Sequence, residues 1–249
     1  MTQWPEGYGR RVLDEVDSTL NEAARIAPDL SGPEWIMAHR QTSARGRRGR
    51  AWANPKGNLA ATLVLFPQES PGVAALRSFV ASLALFDACV AVCGRNEGFA
   101  LKWPNDVLLN GGKLAGILLE SSGQGTRMAY LAIGIGVNLS DAPSSEVVEG
   151  GAVPPVSLLS ATGAVVDAET FLTFLAAAYA RHETTFATYG FEPIRTAWLS
   201  RAARLGEVIT ARTANSETTG TFQTVDAQGN LVLNTSKGRV MIPAADVYF

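Results

Sequence analysis

Residues 41 to 52 read QTSARGRRGRAW and hold the densest chemistry in the chain. Arg45, Arg47, Arg48 and Arg50 fall within six residues, spaced by Gly46 and Gly49, with no acid among them. Arginine offers a planar, permanently charged fork that matches carboxylate and phosphate. Glycine lets a backbone approach a ligand closely and take positive φ. Together these residue types predict a loop that wraps an anionic small molecule. The chain of 249 residues carries a formal net charge of only −2. The positive field is therefore local, and a local field implies a site.

Three other stretches carry polar groups in suggestive positions. In LKWPNDVLLNGGKLAGILLES, residues 101 to 121, Lys102 ends an apolar run just before Trp103 and Pro104. Proline cannot donate to a sheet ladder, so a strand is expected to end or bulge there and aim the Lys102 ammonium out of the sheet. Asn105, Asp106 and Lys113 follow, and Gly116 interrupts the returning strand, as glycine does where a ligand or backbone comes close. Read alone, the same pattern also fits a surface lysine beside a turn. In IGIGVNL, residues 133 to 139, the third glycine of a dinucleotide fingerprint is missing and no helix follows. A glycine-rich strand packed against a ligand, with Asn138 offering an amide, fits better. In DSTLNEA, residues 17 to 23, Asp17, Ser18 and Thr19 are ordinary helix caps, yet a helix start also leaves N–H groups and hydroxyls for a ligand.

The elements that position these groups follow from periodicity and punctuation. Strands are expected over 11–16, 35–40 and 59–66, flanking the arginine loop, with a helix over 18–27 capped by a Thr19–Glu22 box. A long helix is expected over 71–93. VLLN, a turn at Gly111 and Gly112, and KLAGILLESS predict a hairpin, and AYLAIGIGVNL a further strand after a turn at 123–125. Successive hairpins predict an antiparallel or mixed sheet, an α+β rather than a doubly wound fold. Residues 140–156 read as a surface loop, and 167–189 and 192–202 as helices. From about Gly206 only short β segments occur, which predicts a small closed β-barrel appended to the main domain.

Composition narrows the class. Hydrophobic residues make up 47% and charged residues 18% of the chain, and the pI is near 5.8. That balance argues against a general nucleic-acid or membrane-surface binder. The N-terminus has no apolar core of the signal-peptide kind. The apolar stretch 79–92 is interrupted by Ser82 and Asp87 and reads as a buried helix, with Cys89 and Cys93 as reduced core thiols of a cytoplasmic protein.

In chain order, DST, Gln41 with the arginine loop, KWPND, KLAGIL and GIGVN resemble the motifs of the biotin protein ligases. The resemblance covers roughly residues 10 to 200 and continues into the β-rich tail. It implies a catalytic domain over 1–203, akin to class II aminoacyl-tRNA synthetases, and an SH3-like barrel over 204–249. It implies ATP and Mg²⁺ as co-substrate, biotin as substrate, and a biotinyl-adenylate intermediate. The acceptor would be a lysine on the biotin carboxyl carrier domain of acetyl-CoA carboxylase or another biotin-dependent carboxylase. The resemblance carries biotin binding to Ser18, Thr19, Gln41, Arg45, Gly46, Arg47, Lys102 and Gly116. It carries the adenylate to Arg47, Arg50, Trp52, Asn105, Lys113 and Asn138, and catalysis to Lys102, Arg45 and Arg47. Mg²⁺ ligands are not assigned.

Two positions depart from the family pattern. Ala44 stands where the arginine motif usually starts with glycine, and Leu20 stands where DSTN has asparagine. No polar role is carried onto Leu20. Family members that act as repressors have an N-terminal DNA-binding domain, and the motifs here begin within twenty residues of Met1, so none is expected. A monomer or homodimer without nucleic-acid or membrane partners is expected. The competing readings are a lipoate- or octanoyl-type acyl-adenylate ligase and, further off, a nucleic-acid module that grips through RGRRGR.

Overall fold

The strand Leu59–Leu65 is buried at every position, so both faces of its sheet are covered, and successive side chains alternate between them. The computed structural model describes residues 2–124, 127–143, 153–213 and 215–249. Strands β1 (Gly9–Val16), β2 (Glu34–Gln41), β3 (Leu59–Leu65), β4 (Phe99–Lys102), β5 (Asp106–Leu109), β6 (Gly112–Gln124) and β7 (Arg127–Val137) form one sheet. Its order is β1-β2-β3-β7-β6-β5-β4. β1 and β2 run parallel and the other neighbours antiparallel. A parallel pair needs a crossover, and α1 (Thr19–Ile26) supplies it.

One face of the sheet carries the main core. Trp35 and Met37 of β2 and Leu59, Ala61 and Leu63 of β3 join the apolar residues of α3 (Arg77–Cys93), α5 (Ala168–Tyr189) and α6 (Phe191–Leu199). The other parity meets α1: Ile36 and Val64 pack with Leu20, Ala23 and Ala27. Thr62 has the parity of Val64 and is fully buried. A short helix, α2 (Pro71–Ala75), precedes α3, and α4 (Leu158–Thr162) precedes α5.

The C-terminal strands β8 (Val208–Arg212), β9 (Glu217–Val225), β10 (Leu231–Thr235), β11 (Gly238–Ile242) and β12 (Asp246–Tyr248) make a second, wholly antiparallel sheet. Its order is β11-β10-β9-β8-β12, so strand pairing does not link β11 to β12 among the described residues. The module is SH3-like, and its apolar interior, including Phe222, Leu231 and Val247, is continuous with the main core. Trp103 donates its Nε1–H to the Gly229 carbonyl at 3.1 Å. Arg195 reaches the Val225 carbonyl at 3.0 Å. These contacts tie the β9–β10 turn to the main domain.

Several local expectations need correction. The helix expected over 71–93 breaks at Leu76 into α2 and α3, and the one over 192–202 ends at Leu199. The hairpin turn is Asn110–Gly111, both at positive φ, with Gly112 already in β6; Asn-Gly is the pair that a two-residue turn of this kind favours. The cap of α1 is Ser18, which accepts the Leu20 N–H at 3.2 Å. Thr19 is therefore the first helical residue, and Glu22 pairs with Arg25 instead of closing a box. The loop expected over 140–156 is described only at its ends, and the turn at 123–125 only through residue 124.

Candidate active site

A cavity of about 570 Å³ opens between the loop that follows β2, the ends of β4 to β7, the start of α1 and the edge strand β12. Every residue to which a binding or catalytic role was carried lines it: Ser18, Thr19, Gln41, Arg45, Gly46, Arg47, Arg50, Trp52, Lys102, Asn105, Lys113, Gly116 and Asn138. Segments distant in sequence meet there because the strand order sets β7 and β6 between β3 and β5.

The arginine loop is closed on itself. Trp52 N–H donates to the Ala44 carbonyl at 3.1 Å and Gly46 N–H to the Arg50 carbonyl at 2.7 Å. Arg48 and Gly49 both have positive φ, 57° and 72°, which tightens the turn; Gly46 does not, and a Cβ there would meet only the Arg50 carbonyl oxygen, at 3.7 Å. Ala44, the departure at the loop start, lines the cavity and serves this closure through its backbone.

The loop's charge is largely met by acids far away in sequence. Arg45 makes a two-pronged pair with Glu120, at 2.9 and 2.7 Å, and also donates to Asn21 Oδ1 at 2.7 Å. Hydrogen bonding to Glu120 raises its pKa. Arg48 and Arg50 both reach Asp246 Oδ2, at 2.7 and 3.0 Å. Arg47 donates to the Ala245 carbonyl at 3.2 Å and lies 3.6 Å from Asp246 Oδ1. Its pKa is lowered, first by burial, although Asp246 opposes that shift. Arg48, without a role in the motif reading, is thus a tether to the barrel. Glu120 and Asp246 were missed because a single acid in an ordinary strand carries no local signal.

Lys102 is not a surface lysine. It lines the cavity at the end of β4, and burial is the largest influence on it, lowering its pKa; nearby Asp106 opposes the shift. Lys113 pairs with Asp106 at 2.8 Å and lies 5.7 Å from the Trp52 ring centre. Asn105 accepts from Arg47 at 3.4 Å and donates to the Ile117 carbonyl.

The glycine positions are filled from within the chain. A Cβ on Gly136 would lie 2.5 Å from Trp52 Nε1, and one on Gly116 would lie 3.2 Å from Trp52 Cζ3. One on Gly134 would lie 2.9 Å from Leu20 Cδ1. The strand expected to pack against a ligand thus packs against Trp52 and Leu20, which both line the cavity. Leu20, the other departure, is a wall residue. Asn138 is buried and donates to the Val156 carbonyl at 3.2 Å, while its Oδ1 has no hydrogen-bond partner among the described residues.

At the opposite end the polar groups are neutral. Gln41 Oε1 accepts from the Thr19 N–H at 2.8 Å and the Thr19 hydroxyl at 3.2 Å. Ser18 and Thr19 are only 1% and 4% exposed.

This geometry has relatives. Residues 9–138 match the model of the biotin/lipoate A/B protein ligase family, and residues 205–249 match the biotin protein ligase C-terminal domain. The chain belongs to the biotin/lipoate A/B protein ligase family. It is 56% identical over 238 residues to the biotin–[acetyl-CoA-carboxylase] ligase of Paracoccus denitrificans, covering 96% of this chain and 99% of that one. It is 31% identical over 247 residues to the bifunctional ligase/repressor BirA of Bacillus subtilis, covering 95% of this chain and 73% of that protein. Among solved structures it resembles the biotin protein ligase from Aquifex aeolicus in complex with biotin and ATP. That match has a TM-score of 0.83 at 26% identity and covers 96% and 98% of the two chains.

Proposed function

We propose that this protein joins biotin to a lysine of a carboxylase's biotin carrier domain in two steps, using ATP. The observation that carries this reading is the single cavity that unites a buried neutral end with a cationic end. In the first step a carboxylate oxygen of biotin attacks the α-phosphorus of ATP, and the bond to pyrophosphate breaks. In the second the acceptor amine attacks the acyl carbon, AMP leaves with the bonding electrons, and the amine gives up a proton. The carboxylate is ionised near neutral pH, so the first step requires no base. It brings two anions together, and Lys102 and Arg47 supply fixed cations at that point. Such preorganised donors gain strength in a site shielded from water.

Biotin's ring system lies against Ser18, Thr19 and Gln41, with Gly46 and Gly116 giving close approach. Arg45 braces the loop over it through Glu120. Arg50, Trp52, Asn105, Lys113 and Asn138 surround the adenylate. ATP arrives as its Mg²⁺ complex. Asp106 lines the same cavity, and one carboxylate with substrate phosphates is an ordinary Mg²⁺ environment. The family-model matches end at 138 and resume at 205, which supports a catalytic unit over 1–203 and a barrel over 204–249. A cytoplasmic enzyme, monomeric or dimeric and without nucleic-acid or membrane partners, fits the same reading. The apolar stretch Pro71–Cys93, made of α2 and α3, is mostly buried, as core elements would be. The arginines fold inward onto Glu120 and Asp246, which disfavours a nucleic-acid grip.

Pyrophosphate release with biotin or lipoate as the acid tests this. Biotin-dependent release is expected. Release that depends on lipoate or octanoate and not on biotin would establish the other acyl-adenylate reading.

A further inference from the structure

Thr62 lies behind the neutral end of the cavity, on the α1 side of β3, and is fully buried in an otherwise apolar strand. A buried hydroxyl is costly unless it is hydrogen-bonded. Its Oγ1 lies 2.9 Å from Thr19 Oγ1. The direction of this chain of bonds follows from its one unconditional donor. The Thr19 backbone N–H can only donate, and it meets the Gln41 side chain at 2.8 Å. The Gln41 atom facing it is therefore the oxygen. The Thr19 hydroxyl, 3.2 Å from that same oxygen, must then donate to it. Having donated, Thr19 Oγ1 accepts, and Thr62 is the donor it meets. The Gln41 oxygen is thus used twice internally. Ser18 Oγ likewise accepts the Leu20 N–H.

We propose that Thr62 is a positioning residue for biotin recognition: the Thr19 N–H sets the Gln41 amide, and Thr62, by donating to Thr19 Oγ1, holds the Thr19 hydroxyl in place as the second donor to it. This arrangement turns the Gln41 NH₂ group, beside the Ser18 O–H, toward the cavity that both residues line. Those two donors suit an acceptor, the carbonyl oxygen of biotin's ureido ring, and the second lone pairs of the Ser18 and Thr19 hydroxyls remain for its ring N–H groups. A ring bearing a donor at that atom is rejected. Thr62 does not itself line the cavity. This inference rests on the biotin reading of the site.

The test uses Thr62→Val, which keeps the β-branched shape and removes only the hydroxyl, and Thr62→Ser, which restores it. Biotin Kd is measured by calorimetry on the full chain, with ATP KM and melting temperature alongside. The analogue 2-iminobiotin, whose ring carbonyl oxygen is replaced by a protonated imino group, serves as the donor-bearing probe. Thr62→Val is expected to weaken biotin about three- to tenfold, the range set by one net hydrogen bond. It is expected to narrow the preference for biotin over 2-iminobiotin, leave ATP KM unchanged, and be reversed by Thr62→Ser. Wild-type biotin Kd and preference in a folded Thr62→Val protein would overturn the role of Thr62 alone. Equal losses for biotin and 2-iminobiotin, not rescued by serine, would reduce Thr62 to a packing residue. A wild-type protein that neither binds biotin nor supports biotin-dependent pyrophosphate release would overturn both that role and the reading beneath it.

Discussion

At the Ser18–Thr19–Gln41 end of the cavity the polar groups are neutral, with Ser18 and Thr19 buried and Gln41 half-buried, whereas at the Arg47–Asp246 end they are charged and in part open to water. Ser18, Thr19 and Thr62 are 4% exposed or less, while the side chains of Arg48 and Arg50 are 43% and 44% exposed. A neutral group buried in a preset hydrogen-bond pattern discriminates by leaving wrong partners unpaired. A charged, partly solvated end instead needs its own charge compensated before substrate arrives, and Asp246 does this for the arginines. The two ends therefore fail differently. Changes at the neutral end alter which ligand binds, and changes at the charged end alter the rate and the salt dependence.

The largest effect is expected from Lys102→Ala. Removing one preorganised donor from a developing anion costs on the order of 10²–10³ in rate. Biotin-dependent pyrophosphate exchange should fall by about that factor, well beyond the weakening of biotin Kd, with melting temperature little changed. Near wild-type exchange would remove Lys102 from the charged end's chemistry. Arg45→Ala comes next. It breaks the pair with Glu120 that braces the loop, and charge-assisted bonds of this kind are worth roughly tenfold or more. Free biotinyl-adenylate in the medium should rise by about that factor, and an unchanged leak rate would show that Arg45 does not hold the intermediate.

Asp246→Asn sharpens the comparison from the other side. Partly exposed ion pairs contribute little to stability, so the fold should persist. If Asp246 stands in for phosphate, ATP KM should drop about two- to fivefold and its salt dependence should steepen, with biotin Kd unchanged. A higher ATP KM would make Asp246 a support for the arginine loop and not a competitor for it.

The smallest effect is in pH. Burial lowers the Lys102 pKa below the ordinary lysine value of 10.5. Between the lowered value and 10.5 the unfolded chain binds more protons there than the folded one, so this group's contribution makes stability rise with pH. Adenylation should fall over the same window as the ammonium is lost. Melting temperature and pyrophosphate exchange, each compared with Lys102→Met across alkaline pH, should therefore move in opposite directions. A parallel fall would contradict the assignment.

What was legible in the sequence differs between the two ends. The arginine loop, KWPND and GIGVN are contiguous motifs, and each was visible because its chemistry is packed into a few neighbouring residues. The strands showed through their apolar patterns, and the mixed sheet through the hairpins. The partners of the arginines were not visible. Glu120 lies 75 residues from Arg45 and Asp246 lies 198 from Arg48, and nothing local marks either. Trp52 over Gly116 and Gly136 belongs to the same class, since only the sheet order brings them together. Thr62 left a weak trace: one hydroxyl in LAATLVL, a run that is otherwise apolar and buried throughout. The cap of α1 was misplaced by one residue because Ser18 and Thr19 are both good caps. Gln41, distant in sequence, takes the Thr19 N–H.

The most direct measurement is intact mass of a biotin carrier domain after incubation with this protein, ATP, and equal biotin and lipoate. The account predicts a gain of one biotinyl group per carrier, lost when ATP is omitted and strongly reduced with Lys102→Ala. A lipoyl gain, or an unmodified carrier in the presence of active, folded protein, would contradict it.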